Sequence, residues 1–209
     1  MTMIHVIPHP LIQHKLTIMR DKDTGTKAFR ELTYELSQLL GYEAMREIKT
    51  EMIEIETPIT KTLAPILAGR KLALIPILRA GLIMADAIAD FVPNAKIGHI
   101  GMYRDPVNRQ PIEYFCKLPP DIENRDVFVL DPLLATGGSA AATIELLKRH
   151  GANNIKFVCI LATPEGINKL QQTHPDVMIY TAAVDETLNQ DQYIVPGLGD
   201  AGDRIYGTK

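Results

Sequence analysis

Apolar and polar positions in the middle and C-terminal parts of the chain alternate between two patterns, one typical of buried strands and the other of amphipathic helices. Strands are predicted over five segments, most of them near-continuous apolar runs: 71–78, 96–101, 126–131, 155–162 and 177–183. Helices are predicted between them, at 81–91, 138–150 and about 165–173. Near-continuous apolar strands are typical of a parallel sheet that is covered on both faces. The pattern therefore predicts an α/β protein with a mostly parallel open sheet and helices on both faces.

The N-terminal part of the chain follows a different pattern. Residues 1–25 contain two prolines and three histidines, and we predict an irregular arm that packs on the body or on another subunit. Residues 26–48 carry apolar side chains at helical spacing, whereas 52–57 shows partial strand alternation. Since no linker or internal repeat interrupts the sequence, we interpret 1–209 as a single domain.

Composition narrows the classes of function. The 209 residues carry a formal net charge of −3, and 46% are hydrophobic while 22% are charged. This balance provides no general electrostatic attraction to nucleic acid or to an anionic membrane. Cys116 and Cys159 lie far apart in apolar runs, which favours reduced core residues over a disulfide or a metal site. Without a long apolar run or a signal-peptide pattern, we expect a cytoplasmic protein that binds neither membrane nor nucleic acid.

The most informative segment runs from a predicted strand into a glycine turn. The apolar strand delivers Asp131 to its C-terminal end, and Thr136-Gly-Gly-Ser139 then opens the helix predicted at 138–150. Backbone N–H groups at a helix start bind phosphate well, since the helix dipole is positive there. Asp131 precedes this turn, where a carboxylate suits hydroxyl groups or a hydrated cation. The combination indicates a sugar phosphate as the ligand.

Two further segments carry cations close to predicted strand ends. Arg79 and Gly81 follow the strand at 71–78, where glycine lets backbone N–H groups approach a ligand. Residues 102–117 predict a projecting β-hairpin in which Arg104 flanks a turn rich in proline and asparagine, and such a hairpin can act as a mobile lid. Each segment also has a plain interpretation, an ordinary strand-to-helix turn in the first case and a solvated hairpin in the second.

The C-terminal run 193–207 is rich in glycine and is also apolar. Its glycines and its proline predict that no regular helix forms there, while its tyrosines and aliphatic residues argue against a disordered tail. Loops of this composition let backbone groups face a ligand. We therefore predict a ligand-binding loop in this run.

Together these segments resemble the type I phosphoribosyltransferases and, among them, the uracil phosphoribosyltransferase family. The resemblance extends along essentially the whole chain, and its most specific stretches are 78–81, 129–139 and 193–204. In that family the last of these stretches recognises uracil. Most members of the superfamily carry two adjacent acids where this chain has Asp131 followed by Pro132, and the uracil family shares that proline.

The resemblance implies transfer of the phosphoribosyl group from 5-phospho-α-D-ribose 1-diphosphate to N1 of uracil, with UMP and diphosphate as products. It implies Mg²⁺ as the cofactor, carried by the substrate and contacted through water by Asp200 rather than ligated directly by protein side chains. The implied catalytic residues are Arg79, Arg104, Asp131 and Asp200. The implied phosphoribosyl diphosphate site comprises Arg79, Ala80, Gly81, Arg104, Asp131, Pro132, Leu133, Leu134, Ala135, Thr136, Gly137, Gly138, Ser139 and Asp200. The implied uracil site comprises Tyr193, Ile194, Gly199, Asp200 and Ala201.

The resemblance also implies partners. They are small molecules, uracil and phosphoribosyl diphosphate, with GTP as a candidate effector because it activates some members, and a homodimer or larger homo-oligomer is implied as well. Three alternatives stay open: an orotate or purine phosphoribosyltransferase, a regulatory RNA-binding protein on the same fold, and an NAD-binding protein. Orotate would require a cation that 193–203 lacks before Arg204, RNA would require a basic cluster, and NAD would require a G-x-G-x-x-G turn.

Overall fold

The structure is a computed structural model that describes residues 4–69, 71–104 and 111–208, except for the side chains of Arg104 and Pro111. The strands in these residues are β1 (Ile4–Val6), β2 (Thr50–Glu56), β3 (Lys61–Leu67), β4 (Lys71–Leu78), β5 (Lys96–Ile97), β6 (His99–Arg104), β7 (Pro111–Lys117), β8 (Arg125–Leu130), β9 (Leu133–Leu134), β10 (Ile155–Ala162), β11 (Met178–Val184), β12 (Thr187–Leu188) and β13 (Ile194–Val195). The helices are α1 (Pro10–Arg20), α2 (Thr26–Ala44), α3 (Leu82–Ala89), α4 (Gly138–Arg149), α5 (Pro164–Thr173) and α6 (Ala201–Tyr206).

Within the described residues, nine strands form the central sheet. Hydrogen-bonded neighbours along its main path are β1, β11, β10, β8, β4, β6 and β7, while the short strands β5 and β9 pair with β4 and β10. All of these pairs are parallel except β6 with β7. The predicted mostly parallel α/β sheet is confirmed, and ligands of such sheets bind beyond the carboxyl ends of the strands.

Helices cover both faces of this sheet, so alternate residues of one strand enter two separate cores. On β4, Leu72 and Leu74 face one core, to which α1, α2, α3 and α6 contribute. Ala73, Ile75 and Ile77 face the other core, which α4 and α5 close. This burial on both sides explains why the central strands read as near-continuous apolar runs.

The prediction of an irregular arm at 1–25 was wrong. β1 extends the edge of the sheet by pairing parallel with β11, and α1 buries Ile12, Leu16 and Met19 in the core. Pro10, which suggested irregular structure, lies in the first turn of α1, where a missing N–H is tolerated. The three buried residues follow helical spacing, so the apolar pattern was a better guide than the prolines.

Two long antiparallel hairpins accompany the central elements. β2 and β3 form a separate two-stranded ribbon whose residues are exposed or half-buried; β2 confirms the strand predicted at 52–57, whereas β3 was not predicted. β6 and β7 form the predicted hairpin, and residues 105–110 between them lie outside the described residues. Since β6 pairs with the last residues of β4, its continuation extends beyond the end of that strand, next to the predicted site.

The predicted helices agree with the structure to within a few residues at each end, as α2, α3, α4 and α5. The strand predicted at 96–101 is divided into β5 and β6 at Gly98, whose N–H donates to the carbonyl oxygen of Leu74 at 3.0 Å. In the part of the chain that the structure describes, no helix is both long enough and apolar enough to cross a membrane.

Leu16→Ala should lower the free energy of unfolding by about 2–5 kcal/mol, because the change leaves a cavity in the core. Leu11→Ala on the same helix is the matched control, since Leu11 is 44% exposed and its loss should cost much less. Urea denaturation of the two variants measures the difference. Equal losses would mean that α1 does not pack into the core.

Candidate active site

The carboxyl ends of β4 and β8 lie side by side, because these strands are parallel neighbours in the sheet. This arrangement brings Arg79 and Ala80, which follow β4, next to Asp131, which follows β8. Gly81 permits the close approach, since a Cβ at this position would lie 2.2 Å from the carbonyl oxygen of Leu130. The turn after β4 and the acid after β8 therefore belong to one surface.

The glycine turn after β8 has a shape that lets backbone N–H groups face a ligand. β9 pairs with the end of β10, and α4 then begins at Gly138 with no capping side chain among the described residues. Gly137 is left-handed, with φ +77°, and a Cβ there would lie 2.9 Å from the carbonyl oxygen of Gly166. Thr163 Oγ1 donates to the carbonyl oxygen of Ala135 at 2.6 Å, which fastens the turn to the start of α5. Since the first N–H groups of a helix lack intrahelical acceptors, those of α4 can meet an anion.

The run 193–207 begins in a short hairpin of β12 and β13 and then turns sharply. The Val195–Pro196 peptide bond is cis, and Gly197 and Gly199 are left-handed, with φ +63° and +79°. A Cβ on Gly197 would lie 2.0 Å from the carbonyl oxygen of Ile194, so the chain folds back on itself here. Only glycine is compatible with this fold-back.

The expectation that 193–207 contains no regular helix was wrong, since α6 lies within it. Asp200 caps the N-terminus of α6 by accepting a hydrogen bond from the backbone N–H of Asp203 at 2.9 Å. Gly207 ends the helix in the left-handed conformation that commonly terminates helices. Gly202 is inside the helix, whereas the other glycines of the run lie outside it, so the glycine content of the whole run was misleading.

These elements enclose a cleft of about 600 Å³. Ten of the predicted site residues line it: Arg79, Ala80, Asp131, Leu133, Ala135, Tyr193, Ile194, Gly199, Asp200 and Ala201. The other lining residues are Leu78, Met102, Tyr103, Tyr114, Asp191, Gln192 and Gly202. The fold therefore brings together segments that are far apart in the sequence.

The remaining predicted residues lie around the cleft rather than on its wall. Gly81, Pro132 and Leu134 are buried. Four form the turn and the helix start beyond Ala135: Thr136, Gly137, Gly138 and Ser139. The side chain of Arg104, at the end of β6, lies outside the described residues.

Two arginines near the cleft, Arg79 and Arg204, differ in how firmly their side chains are bonded to the rest of the protein. Arg79 is 60% exposed, with Nη2 3.8 Å from Asp203 Oδ1, and its backbone carbonyl accepts a hydrogen bond from the Tyr206 hydroxyl at 2.9 Å. Burial raises the pKa of Tyr206, so this hydroxyl stays a donor. Arg204 donates to four backbone carbonyl oxygens and lies 4.3 Å from the ring centre of Phe29. Arg79 can therefore turn towards an anionic ligand, whereas Arg204 holds the fold.

Sequence reasoning missed the two tyrosines that the hairpin of β6 and β7 contributes to the cleft. The rings of Tyr103 and Tyr114 have centroids 6.2 Å apart, and the two residues are 48% and 55% exposed. Tyrosine offers a ligand both an apolar ring face and a hydroxyl. Two tyrosines in a predicted lid were a signal that could have identified them.

Metal ligands are sparse in this structure. Among the residues that it describes, no group of three or more His, Cys, Asp or Glu side chains could hold a metal ion. Asp131 and Asp200 nevertheless bring carboxylate oxygens, which Mg²⁺ prefers, to the cleft from two separate elements. Cys116 and Cys159 are free thiols, and burial raises the pKa of Cys159 to about 12.

Residues 6–208 match the family model described as uracil phosphoribosyltransferase. The chain is 62% identical over 206 residues to the uracil phosphoribosyltransferase of Streptococcus pneumoniae serotype 4, and the match covers 99% of each chain. It is 59% identical over 209 residues to the uracil phosphoribosyltransferase of Natranaerobius thermophilus, with 100% of each chain covered.

Solved structures are similar as well. The AQ2163 protein from Aquifex aeolicus superimposes with a TM-score of 0.93 at 36% identity, over 99% of each chain. A hypoxanthine-guanine phosphoribosyltransferase from Bacillus anthracis superimposes with a TM-score of 0.52 at 14% identity, covering 74% of this chain and 78% of that one. The second likeness shows a shared type I phosphoribosyltransferase fold and nothing about the substrate.

Gly137→Ala should lower the free energy of unfolding by about 1–3 kcal/mol, because alanine is strained at this φ and its Cβ would crowd Gly166. The neighbouring Gly138→Ala is the control. A Cβ at 138 would have Thr136 Oγ1 at 3.8 Å as its nearest contact, and alanine is favoured in a helix, so this variant should be neutral or more stable. Urea denaturation compares them, and equal destabilisation would contradict the left-handed turn.

Proposed function

This chain belongs to the uracil phosphoribosyltransferase family, and we propose from that membership how its cleft forms UMP and diphosphate from uracil and 5-phospho-α-D-ribose 1-diphosphate. One observation carries the proposal. The family match spans 6–208, and the segments 78–81, 129–139 and 193–204 within it meet at a single cleft. Each part of the two substrates finds a suitable group among these segments.

The 5′-phosphate binds, in this proposal, at the start of α4. Gly138 and Ser139 open this twelve-residue helix, so their N–H groups lie at the positive end of its dipole. The hydroxyls of Thr136 and Ser139 can add donors. A phosphate supplies the acceptors that the start of an uncapped helix requires.

The ribose and the diphosphate bind nearer to the sheet. Asp131 accepts hydrogen bonds from the ribose hydroxyls, because its carboxylate reaches the cleft from the end of β8. Arg79 neutralises the diphosphate, which its exposure and its position after β4 support. Arg104 is proposed as a second cation, on a lid formed by β6 and β7, although its side chain lies outside the described residues.

Mg²⁺ fits this cleft as a cofactor that enters with the substrate. It binds phosphate oxygens and keeps several waters, so it needs few carboxylates from the protein. Asp200, which lines the cleft, is the residue proposed to hold it through water. When bound, the ion neutralises charge on the departing diphosphate.

Uracil binds, in this proposal, against the base loop, residues 193–201. Tyr193 lines the cleft and is 38% exposed, so it offers a ring face to the ligand. Between described residues, the backbone N–H groups of Gly199, Asp200 and Ala201 donate no hydrogen bond, which leaves them for uracil oxygens. We propose that these N–H groups, together with the backbone of Ile194, pair with the acceptor–donor–acceptor edge of uracil. Cytosine is rejected in this proposal, because its donor and acceptor are exchanged at N3 and C4 and would leave groups that the bound base covers unpaired, at about 1–3 kcal/mol each.

Orotate fits the base loop less well than uracil. Its carboxylate would need a cation near the base, and Arg204 is the arginine that follows the loop in the sequence. The guanidinium of Arg204 is already bonded to the carbonyl oxygens of Met19, Asp21, Thr24 and Leu198. Its burial also lowers its pKa, as expected for a cation placed inside the fold.

The reaction requires charge stabilisation and orientation more than covalent catalysis. By analogy with glycoside hydrolysis, positive charge develops on the ribose ring as the diphosphate leaves. Arg79 stabilises the leaving group, and the base loop holds uracil N1 against the anomeric carbon. One carboxylate oxygen of Asp200 accepts the Asp203 N–H, so Asp200 is held in place to orient uracil.

The proposal is tested by a product assay with phosphoribosyl diphosphate, Mg²⁺ and, in separate reactions, uracil, cytosine, orotate, adenine and hypoxanthine. UMP formed from uracil alone supports it. Nucleotide formed from another base would contradict the assignment of the base loop, and no nucleotide from any base would contradict the reaction. Repeating the uracil reaction with GTP tests the predicted effector, which should accelerate UMP formation.

Asp131→Asn should weaken binding of phosphoribosyl diphosphate by about 10- to 100-fold, because the acceptor of the ribose hydroxyls loses its charge. Asp126→Asn is the matched control, since Asp126 lies at the opposite end of the same strand and accepts from Asn154 Nδ2. Isothermal titration calorimetry measures both affinities. Unchanged affinity of the Asp131 variant would remove this residue from the site.

We further propose that the ribbon of β2 and β3 joins copies of this chain into a homodimer or larger homo-oligomer. A two-stranded hairpin alone is marginally stable in water, yet this ribbon exposes apolar side chains on both faces. One face carries Ile53, Ile55 and Ile66, and the other carries Met52, Leu63 and Leu67. A second copy of the chain, as the family implies, would bury the face that carries the three isoleucines.

Ile53→Asp combined with Ile55→Asp should shift the mass in solution towards the monomer, because an apolar interface cannot bury unpaired carboxylates. Glu54→Gln, on the same strand but on the other face, should leave the mass unchanged. Size-exclusion chromatography with light scattering measures the three proteins. A monomeric unsubstituted protein, or an unchanged mass in the double variant, would contradict the proposed interface.

A further inference from the structure

We propose that Arg20 and Asp185, which are not among the residues lining the cleft, position the base loop for uracil recognition. The inference rests on the function proposed above, since it takes 193–201 as the part that binds the base. Arg20 Nη2 donates to Asp185 Oδ1 at 2.6 Å, and Arg20 Nη1 donates to Asp185 Oδ2 at 2.7 Å. Such a bidentate pair fixes the relative orientation of both side chains.

The same ion pair holds both polar backbone groups of Gly197. The N–H of Gly197 donates to Asp185 Oδ2 at 2.8 Å, and its carbonyl oxygen accepts from Arg20 Nη1 at 2.8 Å. Gly197 is also the point where the loop folds back, close to the carbonyl oxygen of Ile194. The ion pair therefore fixes the base loop at its sharpest turn.

The two charged residues are themselves attached to rigid elements. Arg20 is the last residue of α1, and Asp185 follows β11, with its N–H donating to the carbonyl oxygen of Ala162 at 2.9 Å. The side chains of Arg20 and Asp185 are only 24% and 6% exposed. Partial burial strengthens charge-assisted hydrogen bonds and shields them from salt. The ion pair thus ties Gly197 to α1 and to the residue that follows β11 of the central sheet.

This anchoring bears on recognition because Gly197 lies between the two parts of the proposed uracil site, Ile194 and Gly199. Hydrogen bonds from backbone groups to a base weaken steeply when the donor moves or tilts. If Gly197 shifts, the groups on either side of it lose their alignment with the uracil edge. Arg20 and Asp185 therefore act through the loop, as positioning residues, without touching the substrate.

A role in stability alone would not account for these contacts. A buried ion pair is weak support for a fold, since the loss of hydration offsets much of the attraction. A stabilising pair also has no need to bond both the N–H and the carbonyl oxygen of one loop glycine. The test must therefore separate the effect on uracil from the effect on folding.

Steady-state kinetics of Asp185→Ala provide that separation. The KM for uracil should rise about tenfold or more, because the Gly197 N–H loses its charged acceptor and Arg20 loses its bidentate partner, while the KM for phosphoribosyl diphosphate changes less than about twofold. Asp185→Asn keeps an oxygen that can accept from Gly197. Its KM for uracil should therefore lie between the values of the unsubstituted protein and of Asp185→Ala. If Asp185→Ala does not fold, Arg20→Lys replaces it, since lysine keeps the charge without the bidentate geometry.

Asp121→Ala is the matched control. Asp121 accepts two hydrogen bonds from Arg125, at 2.9 and 2.8 Å, beside the start of β8 and so at the end of the strand opposite the cleft. Its loss should lower the thermal unfolding midpoint and leave the KM for uracil unchanged. All kinetics are measured at a temperature where thermal unfolding shows each variant to be folded.

The possible results distinguish failure of the proposed function from failure of the positioning role. No UMP from the unsubstituted protein would contradict the proposed function and, with it, this inference. UMP formation by the unsubstituted protein, with the same uracil KM in the Asp185 and Asp121 variants, would overturn the positioning role alone. A similar rise in both KM values of Asp185→Ala would also overturn it, since the effect would then not be specific to uracil.

Discussion

A side chain at position 81 would place its Cβ 2.2 Å from the carbonyl oxygen of Leu130, so the turn after β4 can reach the end of β8 only because residue 81 is glycine. These strands are parallel neighbours, and their carboxyl ends present Arg79 and Asp131 to the same side of the sheet. A cation beside an acceptor suits a substrate that carries both phosphate and hydroxyl groups. The positions of both Arg79 and Asp131 depend on the close backbone contact between residue 81 and Leu130.

The C-terminal helix connects the two sides of the cleft. The hydroxyl of Tyr206 donates to the carbonyl oxygen of Arg79, and Asp203 lies near the Arg79 guanidinium, so the turn after β4 is tied to α6. α6 begins directly after the base loop, and Arg204 fixes it to carbonyl oxygens at the end of α1 and just beyond. A structural change on one side of the cleft is therefore transmitted to the other side through α6, which is short and well bonded.

Much of the fold could be predicted from the sequence, because burial on both faces gives the central strands long apolar runs, and parallel strands bring their following turns to one edge. The two errors share a cause. Both predictions rest on the presence of proline in 1–25 and of glycine in 193–207, whereas the effect of these residues depends on where they lie relative to a helix. Pro10 lies in a first helical turn and Gly207 lies just past a last one, where both residue types are compatible with helices.

Contacts between distant segments could not be predicted from one sequence, because nothing local in either segment marks its partner. Arg20 and Asp185 are 165 positions apart, and Arg204 reaches the carbonyl oxygen of Met19 across 185. Closing loops of such length costs chain entropy before any contact compensates for it. The turn proposed to bind the 5′-phosphate, by contrast, is built from residues close together in the chain. In the function proposed above, phosphate binding therefore rests on contacts that are local in the sequence, whereas the choice between nucleobases rests on contacts that span most of the chain.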